Sequence, residues 1–219
     1  MNTPSRPRAT KIICTIGPAT DTSDMLGQLI EAGANVFRLN MSHSKHDWVR
    51  EVVFRIRRKA AELEANVAIL FDLQGPSIRT GDLAEPYHLK KGDTVEIRLG
   101  TAKPELPFST TVNYDGLLQD VQAGHTMVVD NGGILMRIAE VRPDRLICDV
   151  LTEGVFGSRR HINLPGVALR LPALTEKDLA DLAVAVECET DYVAMSFVRD
   201  AAHIAQLREH IDNLGGKAQ

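Results

Sequence analysis

The chain has 219 residues, of which 44% are hydrophobic and 25% are charged, and its formal net charge at pH 7 is −4. This composition allows a substantial buried core, in one domain or in two small ones. Lysine and arginine are scattered along the chain, so no partner such as nucleic acid or an anionic membrane is indicated. The longest hydrophobic runs have the length of strands and fall well short of the roughly 20 residues that a membrane span needs.

The cysteines and the N-terminal segment indicate where the protein is located. Cys14, Cys148 and Cys188 lie far apart and show neither paired nor metal-type spacing, which is typical of reduced thiols. Residues 1–10 are polar and contain proline, with no apolar signal region. We therefore expect a soluble cytoplasmic protein.

The first part of the chain alternates between strand-like and helix-like patterns. Alternation of strands and helices favours a parallel sheet. The third strand leads directly into Asp72. The predicted strands are residues 11–16, 35–40 and 67–71, and the predicted helices run from cap candidates at 21–24 to Gly33 and from 44 to about 64.

The pattern changes after Gly81, where short β-like runs are separated by turn signals. These runs suit a small antiparallel barrel or sandwich, and they cover residues 94–99, 126–129, 134–141 and 146–150. Helical spacing resumes at 175–178, and a fourth strand at 192–197 and a helix at about 201–213 follow. The sequence therefore predicts an α/β domain at residues 1–81 and 165–219, with a β domain at 82–164 inserted after its third strand.

Two of the predicted strands end in polar groups that an ordinary core would not contain. In the first, Arg38 shares strand parity with Asn40 and Ser42, and an arginine on an inward face needs an anionic partner. The second strand leads into Asp72, and Arg79 lies beyond the turn that follows. Because the carboxyl ends of parallel strands meet at one rim, we expect an anion and cation site there.

Several ordered segments, spread over almost the whole chain, have the character of family motifs. They are 10–20 (TKIICTIGPAT), 35–43 (NVFRLNMSH), 72–80 (DLQGPSIRT), 128–133 (VVDNGG), 158–166 (SRRHINLPG), 171–178 (LPALTEKD) and 192–199 (YVAMSFVR). In their order and spacing these segments resemble the pyruvate kinase family. No Walker A loop, zinc pattern or dinucleotide fingerprint competes with this interpretation.

The resemblance implies an α/β fold, namely the first half of a (β/α)8 TIM-type barrel with an inserted small all-β barrel domain that acts as a lid. A closed barrel needs eight strand-helix units, whereas the sequence shows four. In the family, a catalytic lysine and the carboxylates that bind Mg²⁺ or Mn²⁺ lie on later barrel strands. We therefore expect residues 1–219 to show no turnover in isolation.

By the same resemblance, Arg38 and Arg79 hold the phosphoryl group that passes from phosphoenolpyruvate to ADP. A guanidinium suits this role because its planar fork makes bidentate contacts with phosphate. The alternative is that each arginine only pairs with Asp72 or with a helix C-terminus. The family's K⁺ site corresponds to hard oxygen ligands, and its alternative is a hydrogen-bonded cluster without a cation. The K⁺ ligands would be Asn40, Ser42, Asp72 and the backbone carbonyl of Leu73.

Further positions match the family's substrate and nucleotide contacts. His43 corresponds to a histidine on the nucleotide side, although such a residue can also be a capping or packing group. Arg160 replaces a lysine near the nucleotide phosphates, and His161 replaces a glycine, which puts the lid hinge in doubt. Ser196 and Phe197 correspond to a pair beside the substrate pocket, with Phe197 as an ordinary core residue being the alternative.

Three smaller features complete the site predictions. Gly17 and Pro18 form a turn that belongs either to the nucleotide region or simply to the backbone geometry. Asp130 is predicted to be a turn residue rather than a catalytic carboxylate. Ser77 replaces a charged residue of the family motif, with a modest expected effect.

The leading hypothesis is a pyruvate kinase-like phosphotransferase of glycolysis, with phosphoenolpyruvate, ADP and ATP as partners and K⁺ and Mg²⁺ or Mn²⁺ as cofactors. The alternatives are a non-catalytic module that binds phosphate or potassium, an inert fragment, and, less favoured, a lyase on a related barrel. Because a four-stranded parallel sheet has two open edges, we also expect self-association.

Overall fold

The computed structural model describes residues 9–219, so most of the polar segment predicted at residues 1–10 lies outside the described part of the chain. These residues form two compact units, an α/β unit up to Pro76 and over Pro172–Gln219 and a β unit over Ser77–Leu171. The predicted domain at 82–164 lies within the β unit, and its boundaries stay a prediction. Among the described helices, none combines the length and the apolar character needed to cross a membrane.

The α/β unit begins with three strands and two helices in alternation. Thr22 caps the first helix, because its side chain accepts a hydrogen bond from the backbone N–H of Met25. The elements are β1 (Ile13–Ile16), α1 (Ser23–Glu31), β2 (Val36–Asn40), α2 (His46–Glu62) and β3 (Ala68–Asp72). The predicted alternation of strand and helix is therefore present here.

The β unit contains eight strands and a short helix. Its strands are β4 (Tyr87–Leu89), β5 (Thr94–Arg98), β6 (Ser109–Thr111), β7 (Thr126–Val129), β8 (Ile134–Val141), β9 (Arg145–Val150), β10 (Gly154–Phe156) and β11 (Ile162–Asn163), with α3 (Leu117–Asp120) after β6. Six of them form one sheet in the order β11-β7-β8-β9-β5-β6, and β10 pairs with β4. All pairs in this unit are antiparallel except β5 with β6.

The segment before β4 connects the two edges of the six-stranded sheet. Arg79 forms a bridge with His161, which precedes β11, and Thr80 forms a bridge with Val112, which follows β6. The N–H of Thr80 donates to the carbonyl of Arg160 at 2.9 Å, and the N–H of Gly81 donates to Thr111 at 2.8 Å. Residues 79–81 are therefore part of the β unit, because their backbone hydrogen bonds are made there.

A buried ion pair lies inside the β unit. The Nη1 of Arg145 on β9 donates to Oε2 of Glu96 on β5 at 2.8 Å, and the Glu96 side chain is 0% exposed. The other carboxylate oxygen, Oε1, accepts from the backbone N–H groups of Glu105 and Leu106 at 2.6 and 3.2 Å. Together these partners offset the free-energy cost of burying the Glu96 carboxylate, because an unpaired charge in such a site is costly.

The chain then returns to the α/β unit as α4 (Glu176–Glu187), β12 (Tyr192–Ala194) and α5 (Ala201–Asn213). The parallel sheet has the order β1-β2-β3-β12. The strand predicted at 192–197 is thus too long by three residues. Phe197 has φ of 59°, a left-handed conformation that cannot continue a strand.

Helices cover one face of the parallel sheet and leave the other face partly exposed. Phe37, Leu39 and Phe71 are completely or almost completely buried against the helices. On the opposite face, Ile13 is 57% exposed and Tyr192 is 41% exposed. The strand parity predicted for residues 36–42 is therefore confirmed for Val36–Asn40, and the polar members of β2 lie on the less covered face. Ser42 lies in the turn that follows the strand, so the prediction that it shares the strand face is wrong.

Candidate functional site

The register of the parallel sheet brings Arg38 and Asp72 together. Asn40 at the end of β2 lies opposite Asp72 at the end of β3, and Arg38 lies two residues before Asn40 on the same face. The Nε of Arg38 donates to Oδ2 of Asp72 at 2.8 Å, and Nη2 donates to the same oxygen. Its Nη1 donates to Oγ1 of Thr15 on β1 at 2.8 Å. The arginine predicted to need an anionic partner therefore has one.

The Arg38–Asp72 ion pair remains accessible from the partly exposed face. The two side chains are 32% and 20% exposed. Among residues 9–219, Oδ1 of Asp72 accepts a hydrogen bond only from Oγ of Ser196, and this bond is long, at 3.4 Å. A carboxylate oxygen and a guanidinium are thus available at this face, where an anion and a cation could replace the contacts between them.

The predicted K⁺ ligands lie around the ends of β2 and β3. Oδ1 of Asn40 accepts from the backbone N–H of Ser42 at 3.1 Å, which fixes the turn after β2. The N–H of Leu73 donates to the carbonyl of Ala194 at 3.0 Å, which orients the start of the loop after β3. Amide, hydroxyl, carboxylate and carbonyl oxygens suit a hard monovalent cation. Residues 9–219 contain no group of three or more His, Cys, Asp or Glu placed to hold a metal ion.

Ser196 and Phe197 follow β12 and lie against the loop after β3. Phe197 is 41% exposed, so it is not an ordinary core residue. A Cβ at Gly75 would lie 2.8 Å from Cδ2 of Phe197 and 3.0 Å from the carbonyl oxygen of Ser196. Gly75, whose φ is 68°, therefore allows a close approach that another residue would prevent.

A cavity with mostly apolar walls lies beside His43. Its volume is about 460 Å³, and its walls include Gly17, Pro18, His43 and Trp48. The Nε1–H of Trp48 donates to Oδ2 of Asp21 at 2.7 Å, which fixes the orientation of the indole ring. Trp48 is a site residue that the sequence did not indicate, because its helical spacing is typical of the apolar side of α2. Its position in the first turn of α2, shortly after His43, was the sequence signal that could have indicated a place in the site.

Arg79 lies in the β unit, where its own neighbours hold it in place. Its backbone N–H donates to Oδ1 of Asn113 at 2.7 Å. Its side chain donates from Nε to Oγ of Ser77 at 3.3 Å and from Nη1 to the carbonyl of Arg159 at 3.1 Å.

Arg160 and His161 lie beside Arg79 in the β unit. Nη1 of Arg160 and Oδ2 of Asp130 are 3.1 Å apart. Asp130 begins a 3-10 turn, Asp130–Gly132, so its assignment as a turn residue agrees with the structure. Burial, and to a smaller extent the charge of Arg79, lowers the pKa of His161 below 6.5.

The predicted site residues are therefore divided between the two units. The α/β unit contains the larger group, and the β unit contains Arg79 and Arg160. Within the α/β unit, the strand ends and the loops that follow them bring together Arg38, Asn40, Ser42, His43, Asp72, Leu73, Ser196 and Phe197. The roles predicted for these residues stay predictions.

Comparison with known proteins gives one consistent family. The model of the family described as pyruvate kinase, barrel domain, matches residues 7–219. Plastidial pyruvate kinase 2 of Arabidopsis thaliana is 39% identical over 97% of this chain and 37% of its own length. Pyruvate kinase isozyme G, chloroplastic, of Nicotiana tabacum is 38% identical over 94% of the chain and 36% of its own length. Pyruvate kinase of Staphylococcus aureus (strain USA300) is 36% identical over 94% and 35%. The chain thus spans a little more than a third of the length of these relatives.

Proposed function

Because this chain belongs to the pyruvate kinase family, we propose that it forms the phosphate-binding and potassium-binding part of an enzyme that transfers a phosphoryl group from phosphoenolpyruvate to ADP. The products are pyruvate and ATP. The observation that carries this proposal is the accessible Arg38–Asp72 pair at the ends of two parallel strands. Phosphoryl transfer requires fixed positive charge around the phosphoryl oxygens and a defined position for the acceptor.

Arg38 acts as the phosphoryl-binding group in this proposal. Its side chain is held by Asp72 and Thr15, so the guanidinium is already oriented before a ligand arrives. An incoming phosphate accepts the hydrogen bonds that Asp72 otherwise accepts. A charged hydrogen bond of this kind contributes about 1.5–3 kcal/mol to binding. Asp72, released from Arg38, is then free to bind a cation.

Asn40, Ser42, Asp72 and the carbonyl of Leu73 hold K⁺ in this proposal, since their oxygens are chemically suited to it. A K⁺ ion held by these oxygens would supply positive charge to the site. The divalent ion, Mg²⁺ or Mn²⁺, would supply Lewis-acid stabilisation of the phosphoryl oxygens. The family resemblance assigns its protein ligands, like the catalytic lysine, to positions that are not among residues 1–219.

The β unit acts as the lid of the enzyme, and the inserted domain is proposed to cover residues 82–164. Arg79 contributes to phosphoryl binding and Arg160 to binding of the nucleotide phosphates. Support comes from the backbone hydrogen bonds that fix Arg79 and from the Asp130 contact that orients Arg160. His161 is bulkier than the family's glycine, so it restricts the space beside Arg160.

The nucleotide base is proposed to bind in the cavity beside His43. Trp48 supplies a flat aromatic surface in its wall, and Pro18 supplies a second apolar one. An aromatic ring stacks well on a purine because both have extended π faces. Trp48 is the only tryptophan of the chain, so its fluorescence reports directly on this cavity.

Calorimetric titration of residues 1–219 with phosphoenolpyruvate tests the proposal. We expect binding in potassium chloride, weaker binding in tetramethylammonium chloride, and no turnover when ADP and Mg²⁺ are added. Binding without turnover also describes the alternative, a non-catalytic phosphate-binding module, and addition of the remaining part of a pyruvate kinase separates the two. Restored activity supports the enzyme, whereas absence of binding under both salt conditions contradicts the proposal.

Self-association and location are proposed as well. The parallel sheet ends at β1 on one side and at β12 on the other. The β12 edge is partly covered, since the N–H of Val193 donates to the carbonyl of Gln219 at 2.8 Å, so the β1 edge is the one left to pair. Exposed parallel strands tend to pair with further strands, so we expect oligomers in light scattering, and a stable monomer would contradict this.

A cytoplasmic location is supported by the free thiols of Cys14, Cys148 and Cys188. Fractionation of source cells separates it from the plastid named for two of the relatives.

A further inference from the structure

A completely buried carboxylate lies behind the loop that carries two of the proposed ligand-binding residues. The side chain of Asp181, on α4, is 0% exposed. Its Oδ2 accepts a hydrogen bond from Nζ of Lys177, one helical turn earlier, at 2.6 Å. Its Oδ1 accepts from Nε2 of His46, in the first turn of α2, at 2.7 Å.

These contacts reach both ends of the loop between β2 and α2. Nζ of Lys177 also donates to the backbone carbonyl of Met41 at 2.7 Å. Met41 directly precedes Ser42, and His46 directly follows Lys45. The residue before the segment 42–45 is therefore hydrogen-bonded to Lys177, which Asp181 holds. The residue after the segment is hydrogen-bonded to Asp181 itself.

The helix itself does not need Asp181. The N-terminus of α4 is already capped by Thr175 and Asp178, which form a capping box. Asp181 is buried, whereas the side chain of its partner Lys177 is 41% exposed. Burying a charge is costly even when it is paired, so the presence of Asp181 is better explained by the arrangement that it specifies. Here the arrangement specified is the path of residues 42–45.

We propose that Asp181, together with Lys177 and His46, positions the loop that carries Ser42 and His43. These three are positioning residues, since they act through the loop and not on a ligand. The proposed effect on ligand binding rests on the function proposed above, with Ser42 in the K⁺ site and His43 in the nucleotide cavity. The effect on the loop itself does not depend on that function.

Hydrogen exchange of the 219-residue chain without ligand provides the first test. We compare Asp181→Asn and Lys177→Met with the unaltered chain, and we use Asp191→Asn as a control. Like Asp181, Asp191 pairs with a cationic side chain, that of Arg57 at 2.9 Å. It also accepts from the backbone N–H of Ile69 at 2.7 Å, but its side chain is 38% exposed and it precedes β12 at the other end of the sheet. Faster exchange of residues 41–46 is expected in the first two variants and not in the control.

Quenching of Trp48 fluorescence by ADP provides the second test. We expect the affinity for ADP to fall about tenfold in both variants, the effect of losing one charge-assisted hydrogen bond. Lys177→Arg should recover part of it, because arginine can still donate to Met41 and Asp181. The double variant should lose little more than either single variant, since the two residues act through one contact.

The outcomes separate this inference from the proposed function. Unchanged exchange of residues 41–46 in Asp181→Asn overturns the inference, whatever ADP does. Equal acceleration in the Asp191→Asn control also overturns it, because the effect would then be general destabilisation. Faster exchange of the loop with no binding of ADP to the unaltered chain leaves the positioning role in place and contradicts the proposed nucleotide site.

Discussion

Each unit of the molecule contains an arginine–carboxylate pair, and the two pairs differ in burial. In the α/β unit, the side chains of Arg38 and Asp72 are 32% and 20% exposed. In the β unit, those of Arg145 and Glu96 are 5% and 0% exposed. Both oxygens of Glu96 have donors from the protein, whereas in the described part of the chain Oδ1 of Asp72 accepts only the long bond from Ser196. The buried pair is therefore structural, and the accessible pair can exchange its partners for ligands.

The largest expected effect is on stability, at the buried pair. Glu96→Gln should lower the free energy of unfolding of the β unit by about 3 kcal/mol, because Arg145 then loses its buried counter-charge. The pairing of Arg145 with Asp144 and Glu105, at 2.9 and 3.1 Å, keeps the loss from being larger. Urea unfolding followed by circular dichroism measures it.

Asp149→Asn is the matched control for that measurement. Asp149 pairs with Arg137 at 3.2 Å on the surface of the same unit, and these side chains are 39% and 55% exposed. Loss of such a pair should cost less than about 1 kcal/mol. Equal destabilisation by the two variants would show that burial does not distinguish the pairs.

The second effect is on ligand binding, at the accessible pair. Arg38→Gln should weaken the binding of phosphoenolpyruvate about 30-fold, since charged hydrogen bonds to the phosphate are lost. The free energy of unfolding should change by about 1 kcal/mol or less, because the pair is partly exposed. Calorimetry and urea unfolding of the same protein give the two values.

Arg57→Gln serves as the control for Arg38. Arg57 pairs with Asp191 at 2.9 Å, and both side chains are 38% exposed, but the pair lies at the opposite end of the sheet. This variant should bind phosphoenolpyruvate normally. If it loses affinity as strongly as Arg38→Gln does, the proposed phosphate site is wrong.

A third effect concerns the potassium dependence. Asp72→Asn keeps the shape of the side chain and removes its charge, so Arg38 has no carboxylate to leave and the cation has a weaker ligand. Potassium should therefore strengthen the binding of phosphoenolpyruvate in the unaltered chain, by about tenfold if one charged contact is involved, and not in the variant. Calorimetry in potassium and tetramethylammonium salts measures the difference, and a potassium effect retained by Asp72→Asn would exclude this residue from the cation site.

The smallest effect is the pH dependence of the β unit. Burial acts to raise the pKa of Glu96, but the hydrogen bonds that it accepts from Ser109, Arg145 and two backbone N–H groups outweigh burial, so its pKa lies below 4.5. The unfolded chain therefore binds the proton more readily, and this contribution to stability is present above pH 4.5 and is lost as pH falls through the folded pKa. Urea unfolding over a pH series should show a shallower acid loss in Glu96→Gln than in the unaltered chain, and identical slopes would contradict the role of Glu96.

Local patterns predicted the elements best where the signals at both ends were clear. The strands at 126–129 and 134–141 and the helix at 201–213 have the predicted bounds. Asp200 caps that helix by accepting from the N–H of His203. The strand at 192–197 was predicted too long, because its hydrophobic pattern continues while the backbone turns at Phe197.

The site was predictable in its residue types and only partly in its contacts. Parity placed Arg38 and Asn40 on one strand face, and their strand-end position indicated a rim. The wall formed by Trp48, the buried Asp181 and the pairing of Glu96 with Arg145 were not found. A tryptophan or a carboxylate in a helical or alternating pattern looks the same in the sequence whether it lies in a cavity, in a buried pair or on the surface.

The sequence by itself determined the alternation of strand and helix, the polar ends of the strands and the family, because these depend on local periodicity and ordered motifs. Only the tertiary structure decided which charges meet. Arg38 and Asp72 are 34 residues apart in the chain, and Glu96 and Arg145 are 49 apart. Such pairs depend on the register of strands, and a shift of one residue would turn each side chain to the opposite face of its sheet.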